Sequence, residues 1–201
     1  HGVFTVGKDA ASDLLIIDAH PANRLFIDTP HVSLPEPSHL VQLRVPKGWV
    51  MFVGKSDLSN YYHHLGLPDW MQPYFALPSL TAEELTSLGL DPTMNHPMCV
   101  TLPMGFSHAV LLAQSCHAQV VYSSGALRHE DGLLRLSSPD VTGDRAVHGI
   151  VIDDFFLFSL SRALACRVFR RVLEAYRAAG FVVKPSKVLE PTDQPVKVIG
   201  F

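Results

Sequence analysis

Charge and cysteine are both scarce in this chain. Only 17% of its 201 residues are Asp, Glu, Lys or Arg, with a net charge of −3 and a sequence pI near 6.4. No basic field surrounds it, which counts against a chain that holds polynucleotides by bulk charge alone. The three cysteines, Cys99, Cys116 and Cys166, are odd in number and widely spaced. That excludes a disulfide framework and a zinc-ligand spacing, and it points to a reducing compartment with the thiols as core fillers. No apolar run reaches the ~20 residues of a bilayer span, and no signal peptide opens the chain. An intracellular location, cytoplasm or nucleus, is expected, with no membrane partner and no secretion. No repeat or low-complexity tract is visible. The chain opens on His1 and closes on Val198-Ile199-Gly200-Phe201, like a strand cut short, so a fragment of something longer is expected.

Hydrophobic residues are plentiful, at 47%. They suffice for a core in one domain or one with two lobes. The stretch from Val147 to Phe158 places two short runs rich in Val, Ile and Phe around Asp153-Asp154. Each run reads as a buried strand, and adjacent Asp residues favour a tight turn. A β-hairpin with two carboxylates at its tip is expected. Like charges that close repel, and a divalent metal with oxygen ligands relieves them; an ordinary solvated turn is the other reading. A further strand is expected at Val50–Val53, with Asp57 beyond its end, where side chains face a cleft.

Other strands are expected at Leu14–Ile17, Tyr74–Leu77 and Met98–Leu102, with a turn at Pro21 and a short helix from Ser38 to Leu43. Thr81 and Glu84 form a capping box for a helix that stops at Gly89. Ser107 is expected to cap a helix reaching Tyr122, and Ser161 one reaching Ala179 and stopping at Gly180. The second carries Ala165, Val168, Phe169, Val172, Leu173 and Tyr176 as an apolar stripe, with Arg167, Arg170, Arg171 and Arg177 opposite as a solvated face, phosphate contact being the other reading. Residues 123–146 read as a surface excursion with Asp131-Gly132 at a hairpin tip. Adjacent His63 and His64 lack metal-ligand spacing. The pattern is α+β, an antiparallel sheet with helices on one face.

The order of motifs resembles the reverse transcriptases of retrotransposon-type elements. Lys55-Ser56-Asp57-Leu58-Ser59-Asn60-Tyr61-Tyr62-His63 is similar to the first palm motif, a carboxylate followed five residues later by an aromatic. Leu102-Pro103-Met104-Gly105-Phe106-Ser107 resembles the second, and Val151-Ile152-Asp153-Asp154 the third. Gly180 to Lys187 resembles the fourth, Ile199-Gly200-Phe201 the primer grip, and Ile16 to Asn23 a fingers motif. The resemblance implies a polymerase right hand with the thumb absent. Fingers would span about 1–48 and 70–101, and an antiparallel palm sheet backed by helices about 49–69 and 102–201. It implies RNA-directed DNA synthesis, dNTP addition to a primer 3′-hydroxyl on an RNA or DNA template. Two Mg2+ ions, or Mn2+ in their place, would be held by Asp57 and Asp153 with Asp154 auxiliary. Backbone amides of Leu58, Ser59, Asn60, Tyr61 and Tyr62 would cradle the triphosphate. Tyr62 would exclude a 2′-hydroxyl. Gly105 and Gln114 would line the nucleotide pocket. Lys187, or else Lys184, would protonate the leaving pyrophosphate. Ile199, Gly200 and Phe201 would hold the primer end. A thumb and nuclease, integrase or recombinase regions of the same polyprotein would lie downstream.

The sequence departs from the family where a triphosphate needs fixed positive charge. Leu14 stands at a position usually Arg, and His20 at another; Lys8 or Arg24 are the available substitutes. These departures motivate a decayed, nucleic-acid-binding relic as one alternative. An RNA-templated RNA polymerase is another, but that family places an acidic residue where Tyr62 stands.

Overall fold

The computed structural model describes residues 2–7, 13–133 and 139–198. The chain forms two compact units, His1–Pro30 with Tyr62–Leu111, and His31–Tyr61 with Leu112–Phe201.

In the first unit, β1 (Val3–Gly7) pairs antiparallel with β2 (Asp13–Ile17), Val3 opposite Ile17. The turn expected at Pro21 is a four-residue helix, α1 (His20–Asn23), because proline's fixed φ suits a first helical turn. Asn23 receives the Ser107 N–H and donates to the Gly105 carbonyl. The Ser107 hydroxyl, expected to cap the following helix, bonds the His108 imidazole at 3.0 Å instead, and that helix begins at Ala109. The strand expected at Tyr74–Leu77 is a 3-10 turn, Gln72–Phe75, with Pro73 near its start. Met98–Leu102 makes only isolated bridges, Ala76 to Met98 and Gly66 to Thr101. Phe26, Phe75 and Phe106 pack edge-on or stacked around these loops. The capping box forms as expected on α3 (Ala82–Ser87), and Gly89 takes φ +69° behind it.

In the second unit, α2 (Pro37–Val41) precedes β3 (Phe52–Asp57), which runs further toward Asp57 than the apolar run suggests. Its sheet continues with β4 (Val147–Val151), β5 (Asp154–Ser159) and β6 (Leu189–Thr192), in the order β4-β5-β3-β6 with every pairing antiparallel. Two long helices accompany it, α4 (Ala109–Ser123) and α5 (Arg162–Ala178), the latter capped by the Ser161 hydroxyl on the Leu164 N–H. The α5 stripe is buried at Ala165, Val168, Phe169, Val172 and Tyr176, and Leu173 is half-buried.

Strand register divides the sheet into two faces. Gly54, Ser56, Phe155 and Leu157 lie on the face covered by α5: Phe155 stacks on Phe169, and Gly54 sits against it. Val53, Lys55 and Asp57 lie on the other face, with Phe158, Phe156 and Asp154 directly opposite them. Val53, Phe156 and Phe158 join Val147, Leu133 and Val141 in a buried cluster there. Apolar packing holds one end of that face, and carboxylates occupy the other.

Two expectations for the loops are corrected. Asp131-Gly132 is no hairpin tip: His129–Asp131 is a 3-10 turn, Asp131 is buried beside Arg145 at 3.3 Å, and Gly132 bridges His148. The 123–146 segment is likewise partly internal, with Ser124, Leu127 and Leu133 buried. The cysteines are not core fillers; Cys116 is exposed and Cys99 and Cys166 are half-buried.

Candidate active site

The hairpin between β4 and β5 has a two-residue loop. Val151 pairs with Asp154, so Ile152 and Asp153 form the turn and Asp154 is the first residue of β5. The two carboxylates therefore differ in setting, one on the loop and one on the ladder. Ile152 takes φ +57°. A β-branched residue in the left-handed region is strained, on the order of 1–3 kcal/mol, and hairpin turns of this length favour glycine or asparagine there.

Neighbouring groups hold this turn at both of its peptide units. The Ile152 N–H donates to Gln114 Oε1 at 2.8 Å, and Gln114 Nε2 donates to the Ile150 carbonyl at 2.8 Å. The Ile152 carbonyl accepts from His117 Nδ1 at 2.6 Å. The Asp153 carbonyl accepts from the Leu58 N–H at 3.0 Å, tying the loop to the residue after Asp57.

Asp57 ends β3 directly opposite Asp154, and the Lys184 N–H donates to the Asp57 carbonyl at 2.9 Å. Like charges in direct cross-strand register destabilise a sheet. The consequence falls on Asp154. Burial of its carboxyl group, and then the charges of Asp153 and Asp57, push it up to about 6, while Lys187 and Lys55 pull it back. The residue keeps an exposed face, so its carboxyl is desolvated on one side only. Asp57, Asp154, Lys55, Lys187 and Lys197 line a cleft of about 200 Å³.

Lys55 stands in the first palm motif without a role of its own there, and Lys197 is not singled out in the sequence reading. Alternation along a strand carries the signal for Lys55, since a residue two before Asp57 shares its face. Its Nζ donates to the Lys197 carbonyl at 2.7 Å. Nothing in the sequence marks Lys197.

Among the described residues, no three His, Cys, Asp or Glu side chains form a group able to hold a metal ion by themselves. The chemistry of the donor set still suits Mg2+, a hard cation that usually takes one or two carboxylates and completes its shell with water and substrate phosphate. A carboxylate such as Asp154, whose proton affinity is raised by burial and by neighbouring carboxylates, gains from a shared cation.

The other expected site residues are placed as follows. The Leu58 and Ser59 amides are already donated, to the Asp153 and Val182 carbonyls. Those two amides are therefore not available to the five-amide phosphate cradle expected of this segment, and Asn60 takes φ +49° beside them. Tyr61 is buried, its hydroxyl donating to the Ala113 carbonyl. Tyr62 and Gly105 belong to the first unit and the carboxylates to the second. Gly105 takes φ +110°, and a Cβ there would stand 2.7 Å from the Ile17 carbonyl oxygen, so glycine is required by its own unit. Leu14 lies on β2 opposite Val6, and the Asp18 carboxylate is held below its ordinary pKa first by the His20 backbone N–H at 3.1 Å and then by the His20 imidazole at 2.8 Å. Lys8, Ile199, Gly200 and Phe201 lie outside the described residues.

His117 is the site feature that sequence reasoning missed. It follows Ala109 and Ala113 and precedes Val121 in a four-residue ladder, all buried. A polar residue in such a ladder needs partners, and it has the Ile152 carbonyl and the Tyr176 hydroxyl, the latter at 2.7 Å from Nε2. Burial pushes His117 down to about 4, and burial with the nearby His129 does the same to His148. Both histidines ordinarily titrate near 6.5, so the unfolded chain takes up protons that the folded chain refuses between pH 6.5 and 4. Stability is then complete above pH 6.5 and falls on acidification, by roughly 3 kcal/mol for each histidine at pH 4. Asp154 acts in the opposite sense, since its raised pKa relieves repulsion as pH drops through about 6. Urea unfolding midpoints measured from pH 7.5 to 4.5 are expected to decline; a flat profile contradicts two buried neutral imidazoles.

No protein-family model matches the chain, and neither does any curated protein. Solved structures do. The foamy viral protease-reverse transcriptase in complex with double-stranded DNA matches with a TM-score of 0.64 at 15% identity, over 99% of this chain and 34% of that one. A second complex of a foamy viral protease-reverse transcriptase with double-stranded DNA matches with a TM-score of 0.62 at 12% identity, over 92% of this chain and 26% of that one. The chain thus spans about a quarter to a third of the proteins it resembles. At these identities the likeness is one of fold: a mixed helix and sheet structure, with an antiparallel sheet, of reverse-transcriptase type. Among the described residues, no helix is long and apolar enough to cross a membrane.

Proposed function

We propose that the chain is the fingers and palm part of a retrotransposon-type reverse transcriptase, adding dNTPs to a primer 3′-hydroxyl on an RNA or DNA template. The observation that carries the reading is Asp57 in register opposite Asp154, with Asp153 in the adjoining loop, on a reverse-transcriptase-like fold. In this reading the fingers are about residues 1–48 and 70–101 and the palm about 49–69 and 102–201. Thumb and nuclease, integrase or recombinase regions follow in the same polyprotein, which acts inside the cell.

Asp57 and Asp153 are the residues to hold two Mg2+ ions, with Asp154 as the auxiliary carboxylate. Bound there, the ions supply the acidity that makes a primer hydroxyl nucleophilic and the charge that orients a triphosphate. The chain's own residues do the rest. Lys187, whose charge reaches Asp154, is the candidate acid for the leaving pyrophosphate, and Lys55 holds a second positive charge on the same face. Gln114 lines the nucleotide pocket, with its amide bonded to the Ile150 carbonyl and the Ile152 N–H of the hairpin. Gly105 admits the nascent base pair, and Ile199, Gly200 and Phe201 hold the primer end.

Primer extension on an RNA template, with dNTPs against rNTPs, tests this. Extension with dNTPs and discrimination against rNTPs are expected. Tyr62→Ala is expected to relax that discrimination by about 10- to 100-fold, as loss of a steric gate does. Preferential use of rNTPs favours an RNA-templated RNA polymerase instead. A second reading, a catalytically decayed relic that still binds nucleic acid, is favoured by Leu14 and His20 at usually basic positions. Template binding without extension identifies it.

A further inference from the structure

We propose that His117 is a positioning residue for the carboxylate pair: with Gln114 it clamps the peptide units on either side of Ile152 and so fixes where Asp153 and Asp154 stand. The inference rests on the reading of those carboxylates as the catalytic site.

The turn needs a clamp because its first residue is the wrong type for its conformation. Ile152 sits at φ +57° in a two-residue loop, where glycine is the residue that adopts such a conformation freely. Left alone, the loop would relax toward negative φ and swing the following carboxylates. Two side chains from one helix oppose that. Positions 114 and 117 are three apart on α4 and so share a face. Gln114 bonds the Ile152 N–H, and His117 bonds the Ile152 carbonyl. Both hydrogen-bonding groups of the strained residue are therefore held by one rigid element.

The imidazole's orientation follows from its partners. A carbonyl can only accept, so Nδ1 carries the proton and donates it to Ile152. Nε2 is then bare and accepts from the Tyr176 hydroxyl on α5. Tyr61 packs against the ring, and its own hydroxyl is spent on the Ala113 carbonyl. These contacts leave the ring one orientation that satisfies both nitrogens. Leucine would fill the space, but it could hold neither the carbonyl nor the tyrosine.

A double-mutant cycle in primer extension tests the clamp. His117→Leu is expected to lower kcat about tenfold with KM for dNTP changed less than about twofold, the pattern of a displaced catalytic group rather than lost binding. In an Ile152→Gly background the same substitution is expected to lower kcat by about threefold or less, because glycine accepts the turn without help. Nitrogen NMR of His117 at neutral pH is expected to show the proton on Nδ1. A fall in melting temperature with kcat unchanged overturns the proposal, as does an equal kcat loss in both backgrounds or a proton on Nε2. Should His117→Leu fail to fold, Tyr176→Phe removes only the hydroxyl that steers the ring. It is then expected to lower kcat, and an unchanged kcat overturns the clamp. If the unsubstituted chain extends no primer, the polymerase reading fails by itself, and amide exchange decides the clamp separately. Faster exchange at Ile152 and Leu58 in the variant upholds it, and unchanged exchange overturns it.

Discussion

Replacing Asp153 by Asn is expected to reduce primer extension by about 10³-fold or more while leaving the fold intact, because losing one charged group from a polar reaction centre removes several kcal/mol of transition-state stabilisation. The substitution keeps shape and hydrogen-bonding capacity and removes only charge. The loop itself is fixed through backbone groups, the Ile152 N–H and carbonyl and the Asp153 carbonyl, none of which the change touches. Removing one of the two charges that repel Asp154 also relieves it, and its elevated pKa is expected to fall toward the ordinary range. The variant should therefore melt no lower than the unsubstituted chain, and it should do so with its activity gone. Single-turnover extension and thermal melting, measured on one preparation, check both halves. Activity within tenfold of the parent would remove Asp153 from the site.

The largest effect on stability is expected at Gly149. This residue pairs with Phe156 across β4 and β5, and any Cβ at 149 would overlap the Phe156 ring. The ring cannot give way freely, since it belongs to the buried cluster with Val53, Val147 and Phe158. Gly149→Ala is expected to destabilise by ~3 kcal/mol, a fall of about 6–12 °C in melting temperature for a chain of this size. Gly66 is the control, because nothing lies within 4 Å of a Cβ built there. Alanine at Gly66 is expected to leave the melting temperature within about 2 °C. Equal effects at the two positions would contradict the packing described for this face of the sheet.

Local signals carried much of this structure. The Thr81–Glu84 box, the Ser161 cap and the α5 stripe depend on residues within a few positions of one another, and they stand where they were expected. The hairpin around Asp153-Asp154 was legible for the same reason, although its loop is Ile152-Asp153 and not the Asp pair. Short apolar runs were less informative. Tyr74–Leu77 read as a strand from its aromatic and aliphatic residues, yet Pro73 bends that stretch into a 3-10 turn. Such a run does not distinguish a strand from any other buried segment. Contacts between distant segments were illegible. That the His117 ring would bridge Ile152 and Tyr176, 35 and 59 residues away, left no mark beyond a polar residue on an apolar ladder. The register that sets Asp57 against Asp154 depends likewise on a pairing 97 positions apart, which spacing alone does not supply.

The proposed function stands on one acidic site, in which Asp57, Asp153 and Asp154 would share divalent ions with a nucleotide. Titration with Mn2+ in the presence of a dNTP, followed by electron paramagnetic resonance, tests it most directly. The unsubstituted chain is expected to bind the ion at least about tenfold more tightly than either Asp57→Asn or Asp153→Asn, the loss that follows from removing one charged oxygen ligand from a hard-cation site. Equal Mn2+ affinity in all three proteins, with the fold preserved, would contradict it.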